Sequence, residues 1–468
     1  MILINLLTIL SVASVLAWFS ERFGNSWPRW ISLLALLLSL FLLWAQVDVP
    51  QENSAFVPVS ESAQWWVHLS FAWIERFGIR FTLGIDGLSY LLLMLTLALG
   101  VFSVLCSWSE ITHRVGFFYC NLLLTLVGIV GVFCALDLFL FFCFWEVMLI
   151  PMVLLISIWG HEKRAYAATK FFIFTQASSL LMLISIVTLA LMQARVSGVI
   201  SFDYAVLRDF PVDYFPSIFL MLGFFVAFAV KIPMIPVHSW LPDAHTQAPT
   251  AGSVILAALL LKTGAYGLIR FTLPLFPEAS LQFAPVAMTL AVLGILYGAK
   301  LAFAQNDLKR FIAYSSISHM GFVVLGIYAM SVVALQGAIL QMVAHGISTA
   351  ALFMLAGMLQ ERLHTRDLNV IGGLSAAMPR LAAFGLFFSV ASLGLPGLAN
   401  FAAEFLVLLG SFATQPVFTV LAALGLVAGA IYSLALLQRV FWGKEKKPFN
   451  YIYLSDLNRR ESGSLLVL

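Results

Sequence analysis

Charged residues are scarce in this sequence. Only 10% of the 468 residues are Asp, Glu, Lys or Arg, whereas about a quarter of the residues in soluble domains are charged. The mean hydropathy is +1.00 and 62% of the residues are hydrophobic, so a water-soluble fold of this length could not bury so much apolar surface. The net charge of +3 comes with no basic arm and no aromatic–basic interleaving, which argues against nucleic-acid partners. The composition predicts a membrane protein.

Metal-binding and nucleotide-binding motifs are also missing. The four cysteines lie in apolar segments and form no C-x-x-C pair or Cys/His ligand set, so we interpret them as small buried hydrophobes. There is no G-x-G-x-x-G fingerprint and no haem or cluster ligand set. We therefore expect no metal, and no NADH, flavin or quinone site, in the chain itself.

Apolar runs recur along the whole chain, each near the roughly 20 residues that a membrane crossing needs. We predict an all-α polytopic membrane protein with about 13–14 transmembrane helices. The predicted helices are at 2–19, 30–46, 87–107, 115–135, 138–159, 166–193, 216–236, 250–273, 284–304, 310–330, 333–359, 380–411 and 417–441. No charged region precedes the first run, which is typical of a membrane helix and not of a cleaved signal peptide. The alternation at 79–83 indicates a short hairpin at the membrane surface.

The helices divide the chain into four predicted regions. Residues 1–110 hold helices 1–3 with an extracytoplasmic loop at 47–85. Residues 111–275 form a first five-helix repeat (helices 4–8), and residues 284–443 form a second, inverted repeat (helices 9–13). Residues 444–468 form a cytoplasmic connection and the start of a last helix that is expected to be truncated.

Lysine and arginine are concentrated in alternate loops. With the N-terminus outside, the outer loops carry only Arg76, Arg80, Arg195 and Arg208. The inner loops then carry Arg22, Arg29, Arg114, Lys163, Arg164, Lys170, Lys309, Arg310, Arg362, Arg366, Arg380, Arg439, Lys444, Lys446, Lys447, Arg459 and Arg460. The positive-inside rule therefore predicts an N-terminus on the outer side. Two further basic residues near helix ends, Arg270 and Lys300, are expected to reach the interface.

Six ionisable residues lie well inside apolar runs. They are Glu146, Lys231, Lys262, His319, His345 and Glu404. A charged side chain at the bilayer centre costs about 2.5 kcal/mol or more, so such residues persist where they pair or where transport requires them. Histidines titrate near neutrality and suit the middle of a relay, and we expect Glu146 to lie close to Lys231. The six residues therefore predict a proton pathway.

Two of these residues lie beside interrupted helices. Lys231 is followed by Pro233 and Pro236, which disrupt a helix, and Glu404 follows a Gly-Leu-Pro-Gly sequence at 394–397. Broken helices at matching positions of two inverted halves are typical of transporters. Lys231 and Glu404 are 173 positions apart, as are Glu146 and His319. This spacing favours two inverted repeats in which each pair is equivalent.

With these residues in view, the chain resembles the antiporter-like subunits of respiratory complex I, NADH:quinone oxidoreductase. Within them it is most similar to the M type, called subunit 4 in mitochondria. The resemblance covers essentially the whole chain. Its most specific blocks are FFCFWEVMLIPM at 141–152, KIPMIPVHSWLPDAHTQAPTAGSVILAALLLKTGAYG at 231–267, DLKRFIAYSSISHMGF at 307–322 and GLPGLANFAAEF at 394–405.

The resemblance implies fourteen helices, two inverted five-helix bundles and a buried hydrophilic axis. It implies a proton relay through Glu146 on helix 5, Lys231 on broken helix 7, Lys262 on helix 8, the linking His319 and His345, and Glu404 on broken helix 12. It implies a bacterial inner-membrane location with a periplasmic N-terminus, and L-like and N-like subunits as neighbours in the lipid bilayer. NADH, FMN, iron–sulfur clusters and quinone would belong to partner subunits.

Other functions fit parts of the pattern. An Mrp-type cation/proton antiporter subunit and the membrane arm of a proton-pumping hydrogenase share the buried charges. The glutamate at position 404 resembles the M type, because the L and N subunits and the Mrp antiporters usually place lysine there. Together with the overall similarity, it favours a complex I subunit over an Mrp-type antiporter. A structural scaffold with inert buried ion pairs is an alternative of a different class. His238, Asp243 and His245 suit either a structural loop that caps the broken helices or a proton-access role.

Overall fold

The computed structural model describes residues 2–47, 65–444 and 454–468, and within these ranges the fold is a bundle of membrane-crossing helices. Twelve described helices are long and apolar enough to cross a membrane, and two shorter apolar helices together make a thirteenth crossing. The crossings are α1 (Ile2–Ser20), α2 (Trp27–Gln46), α3 (Gly87–Glu110), α4 (Val115–Cys134), α5 (Leu138–Trp159), α6 (Arg164–Ser197), α7a (Tyr214–Lys231), α8 (Thr250–Leu275), α9 (Pro277–Phe303), α10 (Leu308–Tyr328), α11 (Val332–Leu363), α12a and α12b (Pro379–Ser392 and Ala399–Phe412), and α13 (Pro416–Trp442). A short α7b (Trp240–Gln247) continues α7a, and α14 (Arg459–Val467) lies near the C-terminus.

The predicted helix positions are confirmed, with two corrections at the broken helices. The run at 138–159 has the same bounds as α5. The run at 216–236 was predicted too long, because the helix ends at Lys231, before the two prolines, and resumes as α7b. The single run at 380–411 is two helices separated at 393–398, where Gly394 and Gly397 have φ of +81° and +99°. Only glycine adopts such angles without strain, so these two residues end one helix and redirect the chain.

The predicted hairpin is present and covers one end of the bundle. Strand β1 (Val67–Ile74) pairs antiparallel with β2 (Ile79–Ile85). The loop at 47–85 also includes residues 48–64, which lie outside the described residues, as do the lysines at 446 and 447. The backbone N–H of Leu136 donates to Thr82 O at 2.9 Å, so the hairpin closes over the start of α5.

Acidic side chains cap the starts of several helices. The first backbone N–H groups of a helix have no partner inside the helix, and a carboxylate can accept from them. Asp137 accepts from two N–H groups at the start of α5, each at 3.0 Å, and Asp307 accepts from one at the start of α10 at 3.0 Å. Glu110, at the end of α3, accepts from the N–H of Thr250 at 3.1 Å and so caps α8. These caps fix the depth at which the central helices begin.

Three of the six ionisable residues lie on strongly enclosed helices. The most apolar stretch of α8 is buried along its whole length, and those of α10 and α11 are buried over 94% and 83% of their residues. By contrast, α1, α2, α6 and α13 have half or more of the corresponding residues on the surface. The enclosed core of the bundle is therefore formed by α8, α10 and α11 together with α4, whose corresponding stretch is 89% buried. Of these helices, α8, α10 and α11 carry Lys262, His319 and His345.

Three features recur in the two predicted repeats. The seventh and twelfth crossings are both interrupted. Asp137 and Asp307, which cap α5 and α10, each form an isolated antiparallel bridge, with Asp203 and Asp367 respectively. In addition, α8 and α13 each end in a wide π turn. The division into inverted repeats stays a prediction, to which these three parallels add support.

Candidate functional site: a buried chain of ionisable side chains

Four of the six predicted residues form a continuous buried group in the middle of the bundle. Lys262 Nζ lies 2.7 Å from Nδ1 of His345. The ring centroid of His345 lies 5.6 Å from that of His319, and Nδ1 of His319 lies 2.8 Å from Oε1 of Glu404. All four side chains are at most 6% exposed. The group therefore links α8, α11, α10 and α12b through side chains that can all hold or release a proton.

The backbone of α8 is adapted to Lys262. Residues Leu256–Leu260 form a π turn just before it, and such wide turns often occur at functional sites. Lys262 Nζ donates to the carbonyl oxygen of Ala257, inside that turn, at 2.8 Å. The helix thus supplies a backbone acceptor for the fully buried amino group of Lys262.

His319 and Glu404 form the most densely hydrogen-bonded part of the group. Oε1 of Glu404 also accepts from Nε2 of Gln341 at 3.1 Å. The second ring nitrogen of His319, Nε2, lies 3.2 Å from the hydroxyl of Tyr432 and 3.3 Å from Oγ of Ser392. Both nitrogens of this imidazole are therefore engaged.

The break in α12 is held together by an asparagine. Nδ2 of Asn400 donates to the carbonyl oxygen of Ala391 at 2.8 Å and to Oγ of Ser348 at 3.1 Å. The first bond replaces a helical hydrogen bond that is lost at the break, and the second ties α12b to α11, which carries His345. Asn400 thus connects both halves of α12 to the central group.

Lys231 occupies an aromatic pocket. Its Nζ lies 5.0 Å from the ring centroid of Trp145 and 5.7 Å from that of Phe171, and it has no hydrogen-bond partner among the described residues. Ammonium groups are attracted to the faces of such rings. The indole N–H of Trp240 donates to the carbonyl oxygen of Val230 at 2.9 Å, so α7b is fastened to the end of α7a beside the lysine.

The expected contact between Glu146 and Lys231 is absent. No ion pair formed by the described residues joins them, and Glu146 accepts instead from Oγ of Ser179 at 2.6 Å. Glu146 is also partly exposed, whereas we expected it to be buried. A direct ion pair is absent because Glu146 points to the α5–α6 surface, while the ring of the preceding Trp145 covers the Lys231 amino group. The charge of Glu146 still acts on Lys231 from a longer distance.

Residues that are 173 positions apart, such as Lys231 and Glu404, do not occupy equivalent positions in the two predicted repeats. Lys231 is the last residue of α7a, whereas Glu404 lies within α12b, after the interruption. The two residues therefore lie on opposite sides of their helix breaks. The same offset also places His319 one turn further into α10 than Glu146 is into α5.

Two buried basic residues lie at the predicted inner end of the bundle. The sequence had singled out His245 for either a structural or a proton-access role, but it had not singled out Lys309. Lys309, assigned above to a loop, is fully buried and donates to the carbonyl oxygen of Ala248 at 3.0 Å. His245 is fully buried, and its ring stacks on Phe353 with a centroid distance of 4.6 Å. Neither ring nitrogen of His245 has a hydrogen-bond partner among the described residues. The residue that the sequence missed is Lys309, because a lysine at the edge of an apolar run is usually a loop residue.

An open polar cavity of about 630 Å³ lies at this end of the bundle, lined by residues that include His161, Gln247, Gln360, Asp307 and Arg366. His161 lies in the loop between α5 and α6. Its partial burial, together with the positive charges of Lys309 and Arg366, lowers the pKa of His161 to about 4. The imidazole is therefore neutral at physiological pH and can accept or donate a hydrogen bond in the cavity.

At the opposite end, the buried Arg270 forms an ion pair with the partly exposed Asp86. We expected Arg270 to reach the interface, but it is only 8% exposed. Its guanidinium lies between the rings of Trp65 and Tyr266, at 5.0 and 5.4 Å from their centroids. Burial opposes the ionisation of Asp86, yet the charge and hydrogen bond of Arg270 hold the pKa of that carboxyl below its usual value. Lys300 is exposed as expected.

Among the described residues, no cluster of three or more His, Cys, Asp or Glu side chains could hold a metal ion. Each of the four cysteines is a free thiol. The chemistry that this arrangement can perform is proton transfer between nitrogen and oxygen atoms along the bundle axis.

Comparison with known sequences shows similarity along almost the whole chain. Residues 135–431 match the protein-family model described as NADH:quinone oxidoreductase/Mrp antiporter, transmembrane. NADH-quinone oxidoreductase subunit M of Pseudomonas aeruginosa is 56% identical over 452 residues, which are 95% of this chain and 88% of the relative. Subunit M of Escherichia coli K12 is 52% identical over 476 residues, covering 100% of this chain and 92% of the relative.

Comparison with solved structures gives the same fold. A chain of respiratory complex I from Thermus thermophilus with bound NADH superposes with a TM-score of 0.87 at 31% identity, over 100% of this chain and 93% of that chain. A chain of the Mrp complex from Dietzia sp. has a TM-score of 0.84 at 22% identity, over 100% of this chain and 50% of that chain. At that identity the second likeness shows a shared fold alone.

Proposed function

The chain belongs to the NADH:quinone oxidoreductase/Mrp antiporter family, and from this membership we propose that its six intramembrane ionisable residues form a proton relay. The chain is an antiporter-like, proton-translocating membrane subunit of respiratory complex I. NADH, FMN, the iron–sulfur clusters and quinone react in partner subunits. What this chain contributes is the pathway for protons.

The observation that carries the proposal is the contact series from Lys262 to Glu404. An ammonium group at Lys262 can pass a proton to Nδ1 of His345, 2.7 Å away. His319 can pass one from Nδ1 to Glu404 across 2.8 Å. The ring centroids of the two histidines are 5.6 Å apart, a separation that one water molecule can bridge. An inert scaffold has no need for two histidines between a buried lysine and a buried acid.

Glu146 and Lys231 form a separate, switchable part of the proposed relay. Lys231 lies over aromatic rings without a hydrogen-bond partner among the described residues, so its ammonium is held less firmly than a paired one would be. An opposite charge that comes within a few ångströms favours the ionised lysine. A small movement of α5 relative to α7a would therefore change whether Lys231 holds its proton.

The partial exposure of the Glu146 side chain supports the proposal that a neighbouring subunit covers the α5–α6 surface. A carboxylate in contact with lipid costs free energy, and Glu146 is partly exposed among exposed apolar residues such as Ile150 and Leu181. We infer that another membrane-arm subunit covers this carboxylate. The L-like and N-like subunits on either side are the proposed neighbours.

The proposed orientation places the N-terminus in the periplasm and the cavity near His161 in the cytoplasm. The loops at 160–163 and 304–307 meet at the same end of the bundle, where His161 N–H donates to Gln247 O at 2.9 Å and Leu308 N–H donates to Arg366 O at 3.1 Å. Most loop-borne Lys and Arg residues belong to this end, as the positive-inside rule requires. The proposed location is the bacterial inner membrane.

The relay can be tested with Lys262→Ala and a matched control, Lys300→Ala. Lys262 is fully buried and bonded to His345, whereas Lys300 is an exposed lysine on the adjacent α9. In vesicles that contain the whole complex, NADH-driven proton translocation is expected to be lost in Lys262→Ala and kept in Lys300→Ala, with both complexes assembled. Full translocation by the assembled Lys262→Ala complex would contradict the relay and favour a scaffold.

A further inference from the structure

The second nitrogen of His319 faces two hydroxyl groups that the relay above does not use. Tyr432 Oη lies 3.2 Å from Nε2, and Ser392 Oγ lies 3.3 Å from it. Tyr432 is 1% exposed and lies on α13, whose neighbouring side chains Ile431 and Leu434 are more than half exposed. This tyrosine is therefore one of the few places where an outer helix reaches the central group.

The proton count at His319 assigns a direction to these hydrogen bonds. A neutral imidazole carries one N–H, and an ionised carboxylate can only accept. In the resting state that this inference takes as its starting point, a neutral imidazole beside an ionised carboxylate, the Nδ1 that faces Glu404 carries the hydrogen and donates it. Nε2 is then an acceptor, and the hydroxyls of Tyr432 and Ser392 donate to it.

We propose that Tyr432, assisted by Ser392, is a positioning residue for proton transfer through His319. The two hydroxyls hold the ring in the tautomer whose Nε2 carries no hydrogen and can be protonated when the relay delivers a proton. This inference rests on the proposed relay and adds a residue to it.

The step balances without a change in the hydroxyls themselves. An incoming proton bonds to Nε2 and forms an imidazolium, after which the Nδ1–H bond breaks and that proton goes to Oε1 of Glu404. A neutral imidazole with hydrogen on Nε2 and a carboxylic acid remain. Because a hydroxyl can donate or accept, Tyr432 and Ser392 can rotate and accept from the new N–H. Tyr432 keeps its own proton throughout.

The chain offers a matched control in Tyr328. Its side chain on α10 is also 1% exposed, and its hydroxyl has no hydrogen-bond partner among the described residues. Tyr328→Phe and Tyr432→Phe thus remove the same buried atom, but only the second removes a hydrogen bond to His319. Phenylalanine preserves the packing in both cases.

The experiment compares four variants: Tyr432→Phe, Ser392→Ala, the double variant and Tyr328→Phe. Each is prepared as the intact complex in vesicles, and NADH-driven proton translocation is measured in H₂O and in D₂O. Tyr432→Phe is expected to slow translocation about two- to tenfold, the size of one hydrogen bond, with a larger D₂O effect than the wild type because transfer at His319 becomes limiting. The double variant is expected to lose more than the product of the two single effects, since either hydroxyl can hold the ring alone. Tyr328→Phe is expected to match the wild type in both solvents.

Three results would overturn this role. They are wild-type translocation by Tyr432→Phe, a double variant no worse than the product of the single variants, and an unchanged D₂O effect. Failure of the relay itself would look different, since Lys262→Ala would then pump normally. If Lys262→Ala loses pumping while Tyr432→Phe keeps it, the relay stands and the positioning role alone is wrong.

Discussion

Replacing Glu404 with glutamine removes one ionisable group while keeping the shape of the site. Oε1 of Glu404 accepts from His319 at 2.8 Å and from Gln341 at 3.1 Å, and a glutamine carbonyl can accept both bonds. The side chain is 2% exposed, and glutamine has nearly the same volume as glutamate, so the packing around it is preserved. We therefore expect Glu404→Gln to assemble normally. What the amide cannot do is accept a proton.

The size of the effect follows from the His319–Glu404 distance. Two opposite unit charges 2.8 Å apart attract by about 6 kcal/mol at an effective dielectric constant near 20. The amide cannot stabilise a protonated His319 as the carboxylate does. If only a third of the attraction is lost, about 2 kcal/mol, proton transfer through His319 would slow about 30-fold. Glu404→Gln should therefore pump at a few per cent of the wild-type rate at most. Glu404→Asp, shorter by one methylene, should be the mildest change, and Glu404→Lys, which reverses the charge beside His319, should be at best partly active.

The assay is NADH-driven acidification of vesicles that contain the reconstituted complex, followed with a pH-sensitive dye. A native gel of the same membranes controls for assembly, and NADH oxidation controls for the redox subunits. Full proton translocation by an assembled Glu404→Gln complex would refute the reasoning, because it would show that the pathway does not pass through this carboxyl.

Three further predictions concern other parts of the chain. Glu146→Ala should abolish proton pumping in an assembled complex and Glu146→Asp should retain much of it, and normal proton-to-electron ratios in the alanine variant would contradict this. A reporter inserted at 160–163 should be found in the cytoplasm and one at 198–213 in the periplasm, and the opposite labelling would reverse the proposed orientation. Arg270→Ala should leave the partly exposed carboxylate of Asp86 without its counter-charge, with only the hydrogen bond from the Ser89 N–H at 2.9 Å. We expect this to destabilise the subunit by about 1–3 kcal/mol, seen as a lower thermal unfolding midpoint in detergent, whereas an unchanged midpoint would show that the ion pair is not stabilising.

The crossings could be predicted from the sequence because lipid imposes one strong rule. Each crossing needs an apolar helix of nearly fixed length, so α5 was found with its observed bounds. Intramembrane charges stand out for the same reason, and four of the six do form one group. The two interruptions were visible as prolines and glycines in the runs that contain Lys231 and precede Glu404.

Side-chain direction is what the sequence pattern could not supply. Trp145 and Glu146 are adjacent in the sequence, yet the ring of the first covers Lys231 while the carboxylate of the second points to the surface. That difference depends on how α5 is rotated about its own axis, which packing decides. Tyr432 carries no signal of its own, because a tyrosine in an apolar helix is usual. Only the tertiary fold places its hydroxyl on His319.

The π turn at Leu256–Leu260 makes α8 unusually intolerant of changes in chain length. A wide turn contains one residue more than the α-helical path requires, and the carbonyl oxygen of Ala257 that it offers to Lys262 exists because of that residue. Deleting a single residue here would close the turn and rotate the rest of the helix by about 100°, carrying Lys262 away from His345. Surface loops tolerate insertions and deletions, but the number of residues in this stretch determines the direction in which Lys262 points from the helix. Single-residue deletions between 256 and 260 should therefore be eliminated by selection even where every individual substitution is accepted.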